Sequence, residues 1–279
     1  MPVERLGESL AFINWTVLTA LAVGTFAAVV AGRFLTEATR GYLAFTAFSA
    51  AAFAALAWAA DGGLPAPDAD GPAVGIATAR QAGLAVLAVS AIAYGIAIRR
   101  GGRVPALAAA GLGAALLTLA AAAWSLTAPP AGILEMVLFV LQLAGLAAAL
   151  GGVWAAMVLG HWYLVTPKLP EAPLVRFARW LTIVLGLQLV LSIVWLAIGA
   201  GANGLPGFRA MFELPWAFFV WLRLLVGLVF PLIVSWAAIQ TARTRSMESA
   251  TGLLYINVGT IAAGTILAAG LYFGAGLLV

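Results

Sequence analysis

The chain has 279 residues, of which 64% are hydrophobic and 9% charged, with a formal net charge of +4 and a mean hydropathy of +1.09. A soluble globular domain is about 45–50% apolar and about 25% charged, so a water-soluble enzyme of this length, a disordered chain and a coiled coil are all excluded. No cysteine and a single histidine also exclude a disulfide scaffold, iron–sulfur or thiolate-zinc ligation, a multi-histidine metal site and a bis-histidine haem within this chain.

What remains is an all-α integral membrane protein. A spanning helix needs about 20 mostly apolar residues. Eight such stretches follow in chain order, at 11–31, 41–60, 79–98, 104–126, 133–160, 177–199, 214–240 and 250–275. The apolar runs are continuous and rich in Ala and Leu, not alternating, which argues against a β-barrel. Glu4, Arg5 and Glu8 precede the first span and its basic residues follow it. A secretory signal peptide has the opposite charge order, so this span is expected to be retained. After the second span, Asp61-Gly62-Gly63 with Pro65, Pro67 and Pro72 makes the longest loop. Arg99-Arg100-Gly101-Gly102-Arg103 is a tight basic turn after the third. Pro129-Pro130 ends the fourth, and Pro167, Pro170 and Pro173 separate the fifth from the sixth. Proline cannot continue a helix ladder, so each of these breaks has a mechanism. Before the eighth span, Ser246 is a candidate cap and Glu248 favours the helix dipole.

Ten of the fourteen Lys and Arg residues fall on one side of these spans: Arg33, Arg40, Arg99, Arg100, Arg103, Lys168, Arg176, Arg179, Arg243 and Arg245. The positive-inside rule makes that side cytoplasmic. The expected setting is the plasma (inner) membrane, with both termini outside the cytoplasm. No basic tract with interleaved aromatics lies outside the spans, so nucleic acid is not an expected partner.

The chain also resembles itself. Gly24-Thr25-Phe26-Ala27-Ala28-Val29-Val30-Ala31-Gly32-Arg33-Phe34 in span one matches Gly152-Val153-Trp154-Ala155-Ala156-Met157-Val158-Leu159-Gly160-His161-Trp162 in span five. This points to a parallel 4+4 tandem repeat, with halves at 1–129 and 130–279. Chance similarity between Ala-rich helices is the alternative. Within the repeat, Gly24, Ala28 and Gly32, and likewise Gly152, Ala156 and Gly160, place small residues on one helix face, where backbones can approach closely. Packing of span one against span five is the simpler use of that face; a dimer interface is the other.

Arg223 is the most informative single residue. It lies about 12 Å into span seven, where an arginine costs about 2.5–3.5 kcal/mol on insertion scales and must face a partner inside the protein. Gln142 in span five and Gln188 in span six reach the middle of the membrane, and Asn14, Tyr94 and Asn257 are further polar candidates. Glu135 and Glu213 lie at the outer boundary. Arg223 has either a structural role, in which it snorkels to these glutamates or bonds to glutamine carbonyls, or it is the positive pole of an anion or headgroup site completed by Gln142 and Gln188. Pro231 is expected to kink span seven and free a backbone carbonyl. Trp216 and Trp221 flank the approach to Arg223; most of the other tryptophans, Trp15 and Trp195 among them, read as interface anchors. His161 ends span five beside Trp162 and Tyr163. It fits an interfacial belt, and it could also move a proton or serve as one axial haem ligand.

There is no phosphate-binding loop with Lys-Ser/Thr, no metalloprotease pair, no serine elbow and no Asp-rich diphosphate motif. With no catalytic motif, an enzyme is not the favoured reading. Missing mid-membrane carboxylates weigh against ordinary proton- or sodium-coupled transport. The favoured function is binding or transport of an amphipathic, lipid-soluble or anionic small molecule around Arg223. Two alternatives stand beside it. One is a quinone-binding or anchor subunit of an electron-transfer complex, whose redox partners would be other membrane-complex subunits. The other is a ligand-free assembly or scaffold subunit. Apart from that possible quinone, no cofactor or metal is expected within the chain.

Overall fold

The computed structural model describes residues 7, 9–65, 73–127, 132–166, 168–201, 207–213 and 216–279. Glu4, Arg5, Glu8, Pro67, Asp68, Asp70, Pro72, the Pro129-Pro130 seam, Pro167 and Pro215 lie outside the described residues. Eight helices are long and apolar enough to cross a membrane: α1 Leu10–Leu35, α2 Arg40–Asp61, α3 Ala73–Arg99, α4 Pro105–Leu126, α5 Ile133–Val165, α6 Ala172–Ile198, α7 Trp216–Arg243 and α8 Met247–Ala275. A single helical turn, Gly207–Ala210, lies between α6 and α7. The chain is therefore an all-α, multi-pass membrane protein. In hydrocarbon a backbone must satisfy its own polar groups, and a helix does this within one segment. The large aliphatic residues Val89, Leu116 and Ile183 are turned outward and exposed, while Thr, Ser, Gln and Arg are among the buried residues. That is the pattern of a protein whose outer solvent is lipid.

Three helix ends extend well beyond the expected spans, one of them the end of α5, at Val165 and not 160. α3 begins six residues before the expected start: Ala73–Thr78 carries no charge and no proline, and its single glycine, Gly75, does not stop the helix. α6 begins at Ala172, since Pro173 sits in its first turn, where a missing N–H costs nothing. Proline here opens the helix and does not separate it from the loop. Ser246 stands at the start of α8, but its hydroxyl bonds to Ser249 Oγ at 3.0 Å and caps no backbone N–H.

α1 packs on α2, α5 and α8; α3 joins α2 to α4; α5, α6, α7 and α8 form a second group. The α1–α5 crossing is at backbone contact. A Cβ on Gly24 would lie 1.7 Å from the Ala147 carbonyl oxygen, and one on Gly151 would lie 2.2 Å from the Thr25 nitrogen. The face of α5 that meets α1 thus runs through Gly151, one residue from the expected Gly152, which meets open space. The other small residues have separate uses. Gly32 packs against Leu43 and Phe177, and Gly160 against Thr251 of α8. Ala156 is buried, while Ala28 and Gly152 line a shallow groove beside α6. Phe12 stacks on Phe273 with centroids 4.8 Å apart, and Phe139 on Tyr272 at 4.1 Å. These contacts bring the starts of α1 and α5 and the end of α8 to one end of the bundle. At the other end, Arg245 in the α7–α8 turn bonds to Glu171 before α6 at 3.0 Å.

Candidate functional site

α7 is a regular helix to Leu224, a π-helical turn over Leu225–Val229, and a regular helix again from Phe230. Pro231 explains the interruption. In a regular helix the Gly227 carbonyl would accept the N–H of residue 231, which proline lacks. A π-turn relieves the ring clash and is a frequent mark of functional sites. The freed Gly227 oxygen accepts from Arg223 Nη1 at 3.4 Å. The expected carbonyl is thus present, and the same chain's arginine takes it up.

Arg223 is 3% exposed. Its Nη2 donates to Gln188 Oε1 on α6 at 2.9 Å, and its Nε donates to the main-chain oxygen of Val279 at 3.3 Å. Gln188 is fixed from the other side, its Nε2 donating to the Gly145 carbonyl of α5 at 2.7 Å. One arginine and one glutamine therefore tie α5, α6 and α7 together. Gly264 of α8 closes the fourth side, where a Cβ would lie 2.9 Å from Arg223 Nη1. A guanidinium has five N–H donors; these three acceptors leave spare donor capacity.

The sequence-predicted residues are only partly gathered here. Arg223 and Gln188 meet directly. Gln142 is buried three residues before Gly145, and its Oε1 has no partner among the described residues. Glu135 is half-buried and Glu213 exposed; neither forms an ion pair with Arg223 among the described residues, so the geometry does not display snorkelling, but it does display the other structural expectation, a bond from Arg223 to a glutamine carbonyl, at Gln188. His161 is exposed, 3.5 Å from the Tyr255 hydroxyl. Sixteen residues separate it from Gly145 along α5, about 24 Å at 1.5 Å per residue. Asn14 is exposed. Asn257 bonds to the Pro231 carbonyl and Ser235 and so braces α7 on α8.

No family model and no curated protein matches this chain.

Beside the arginine, an apolar groove of about 420 Å³ separates α6 from α7, lined by Leu189, Leu196, Trp221, Leu224 and Leu225 among others. Leu189 follows Gln188 in the chain and Leu224 follows Arg223. Trp221 lines the groove and donates its Nε1 proton to the Met211 carbonyl at 3.0 Å.

The first four helices hold a second buried arginine that the sequence pattern did not reveal as such. Arg80 of α3 lies on the less basic side of the spans in sequence, with Asp61, Asp68 and Asp70 in the preceding loop. In the structure Arg80 is 4% exposed and Asp61, the last residue of α2, is 7% exposed. They form a two-pronged pair, Nε to Oδ2 at 2.7 Å and Nη2 to Oδ1 at 3.2 Å, with Nη1 on Ser125 Oγ at 2.5 Å. Trp15 lies under the guanidinium, 5.6 Å from centroid to Cζ, and is fully buried. It is a core residue and not an interface anchor; Trp195, 4% exposed, is another. Among the described residues no group of three His, Asp or Glu could hold a metal ion.

Proposed function

We propose that this membrane protein binds, and in doing so transports or presents, an amphipathic lipid-soluble molecule whose anionic end pairs with Arg223. The reading rests on one observation: a buried guanidinium inside the membrane whose described side-chain partner, Gln188, is neutral and which no described Asp or Glu reaches. A buried charge of this kind is costly unless an opposite charge meets it. Arg80 has Asp61 for that purpose. Arg223 occupies a comparable place, about two turns into its helix, and its partner from the preceding helix is Gln188. An anion would add charge-assisted hydrogen bonds, roughly twice as strong as neutral ones. Gln188 would orient the guanidinium, and Gln142, whose buried Oε1 has no partner among the described residues, would donate a further bond once its amide rotates. The groove along Leu189, Leu224 and Leu225 would take the apolar part. The separation of His161 from this cluster disfavours a quinone site in which that histidine moves the proton. The basic inner loops support a plasma-membrane setting with both termini outside.

The test is mass spectrometry of an organic extract from gently purified protein, wild type beside Arg223→Leu. The expected result is one lipid-like anion held stoichiometrically by the wild type and lost from the variant. Bulk phospholipid alone in both would overturn the assignment and favour a scaffold subunit.

A further inference from the structure

The turn after α3 draws arginines from two other helices. Arg33, near the end of α1, donates from Nη2 to the Gly101 and Gly102 carbonyls at 3.5 and 3.2 Å. Arg40 opens α2 and reaches the same turn: a Cβ on Gly101 would lie 2.8 Å from its Nη1. Arg99, Arg100 and Arg103 flank these glycines in the chain and are exposed, as is Arg40. Residues 33–40 and 99–103 thus hold five arginines and one acid, Glu37. Glu37 lines a different groove, together with Arg176 of α6. Among the described residues none of the five arginines forms an ion pair, whereas Arg245 at the same end of the bundle has Glu171.

We propose that these two turns form a cup for the phosphate of an anionic phospholipid headgroup. Arg40, Arg100 and Arg103 hold the phosphate, and Arg33 fixes the turn that presents them. A guanidinium fork matches phosphate oxygens and holds them by charge-assisted hydrogen bonds. Like charges drawn to one turn repel, and a bound anion relieves that repulsion. The positive-inside rule asks only that arginines lie at one face; it does not draw Arg33 and Arg40 onto one glycine. The apolar surface beside the cup fits a lipid and not a free phosphate. Val89, Ile92 and Ile96 are exposed along α3, three and four residues apart, so they share one helix face. Arg100 donates its N–H to the Ile96 carbonyl at 3.1 Å and continues that stripe to the end of the helix. An acyl chain lying along the stripe brings its phosphate to Arg100. The cup shares no residue with the Arg223 cluster.

The test is native mass spectrometry of the whole protein in a neutral sugar detergent. The protein is titrated with dioleoylphosphatidylglycerol or with dioleoylphosphatidylcholine, which has the same chains but no net charge. Arg40→Gln combined with Arg100→Gln empties the cup; both side chains are exposed, and Arg33 keeps its bonds to the turn. Arg100→Gln with Arg103→Gln is a second cup variant that leaves Arg33 and Arg40 in place. Lys168→Gln combined with Arg243→Gln removes the same charge from exposed positions at the same end of the bundle, away from the cup. Wild type and this control pair should bind the glycerol lipid about tenfold more tightly than the choline lipid, and both cup pairs should lose that preference. An equal response of cup and control pairs, or no preference in wild type, overturns the cup and leaves a diffuse basic surface. Displacement of the bound lipid by an equal concentration of inorganic phosphate overturns the lipid and makes the site one for a soluble anion.

Discussion

Gly227 and Gly264 cross at backbone contact: a Cβ on Gly227 would lie 2.7 Å from the Gly264 Cα. Arg223 lies over this crossing, so the π-turn, the missing proline donor and the two glycines together form the floor of the arginine's site. Gly264→Ala would place its Cβ 2.6 Å from the Gly227 Cα and 2.9 Å from Arg223 Nη1. α7 and α8 must then separate and the guanidinium must move, at an overpacking cost of about 1–3 kcal/mol. The variant should melt at a lower temperature in mild detergent and lose the Arg223-dependent ligand. Gly259→Ala, on the same helix with nothing within 4 Å of its Cβ, is the matched control and should behave as wild type. Equal melting of the two variants would mean that the crossing is looser than described.

Gln188 decides whether Arg223 keeps its charge free. A carboxylate at this position would pair with the guanidinium, as Asp61 pairs with Arg80. Gln188→Glu should therefore keep the protein inserted and folded but hold less of the anionic molecule that the proposed function expects in wild-type extracts. Its carboxylate must also turn from the Gly145 carbonyl, which now accepts from the amide at 2.7 Å, so a modest drop in melting temperature is expected as well. Undiminished ligand in the extract of this variant would show that the charge on Arg223 is not what attracts it.

Eight apolar runs, their breaks and the intramembrane arginine were legible because hydrophobic length and an isolated charge are local signals. Gln188 was legible for the same reason, as a polar side chain far from either end of its span. Asp61 and Arg80 were not, since each borders the longest loop and a charge near a loop reads as solvated. Only the packing of α2 on α3 shows that they face each other. The docking of Leu277–Val279 was equally hidden, because three aliphatic residues after a helix carry no sign of turning back. The register of the α1–α5 crossing was misplaced by one residue because Gly151 and Gly152 are adjacent, and spacing alone does not choose between them.

The Arg80–Asp61 pair predicts a strongly non-additive stability cycle. Removing only the carboxylate leaves a buried arginine over Trp15 with Ser125 as its remaining hydrogen-bond partner. Breaking a buried pair in this way costs about 3–5 kcal/mol, whereas replacing both members by apolar residues of similar size is often near neutral. Asp61→Ala should lower the melting temperature sharply, and Asp61→Leu combined with Arg80→Met should recover most of the loss. A double variant as unstable as Asp61→Ala would mean that the pair holds α2 to α3 in a way packing cannot replace.

The sidedness of the basic turns has a direct check in the same cysteine-free chain. Arg100 is exposed in the turn that follows α3, with Arg99 and Arg103 beside it. Asp68 lies between α2 and α3 in the sequence. With 27 residues at 1.5 Å each, α3 is about 40 Å long, enough to carry the chain across the hydrocarbon and both headgroup layers. In intact cells, Asp68→Cys should react with an impermeant maleimide from outside, and Arg100→Cys should react only after the cells are opened. Labelling of both from one face would remove α3 as a crossing helix. Labelling of Arg100→Cys alone from outside would invert the orientation and place the Arg223 end of the bundle, with its groove, at the cytoplasmic face, so that the proposed ligand would be taken from inside the cell.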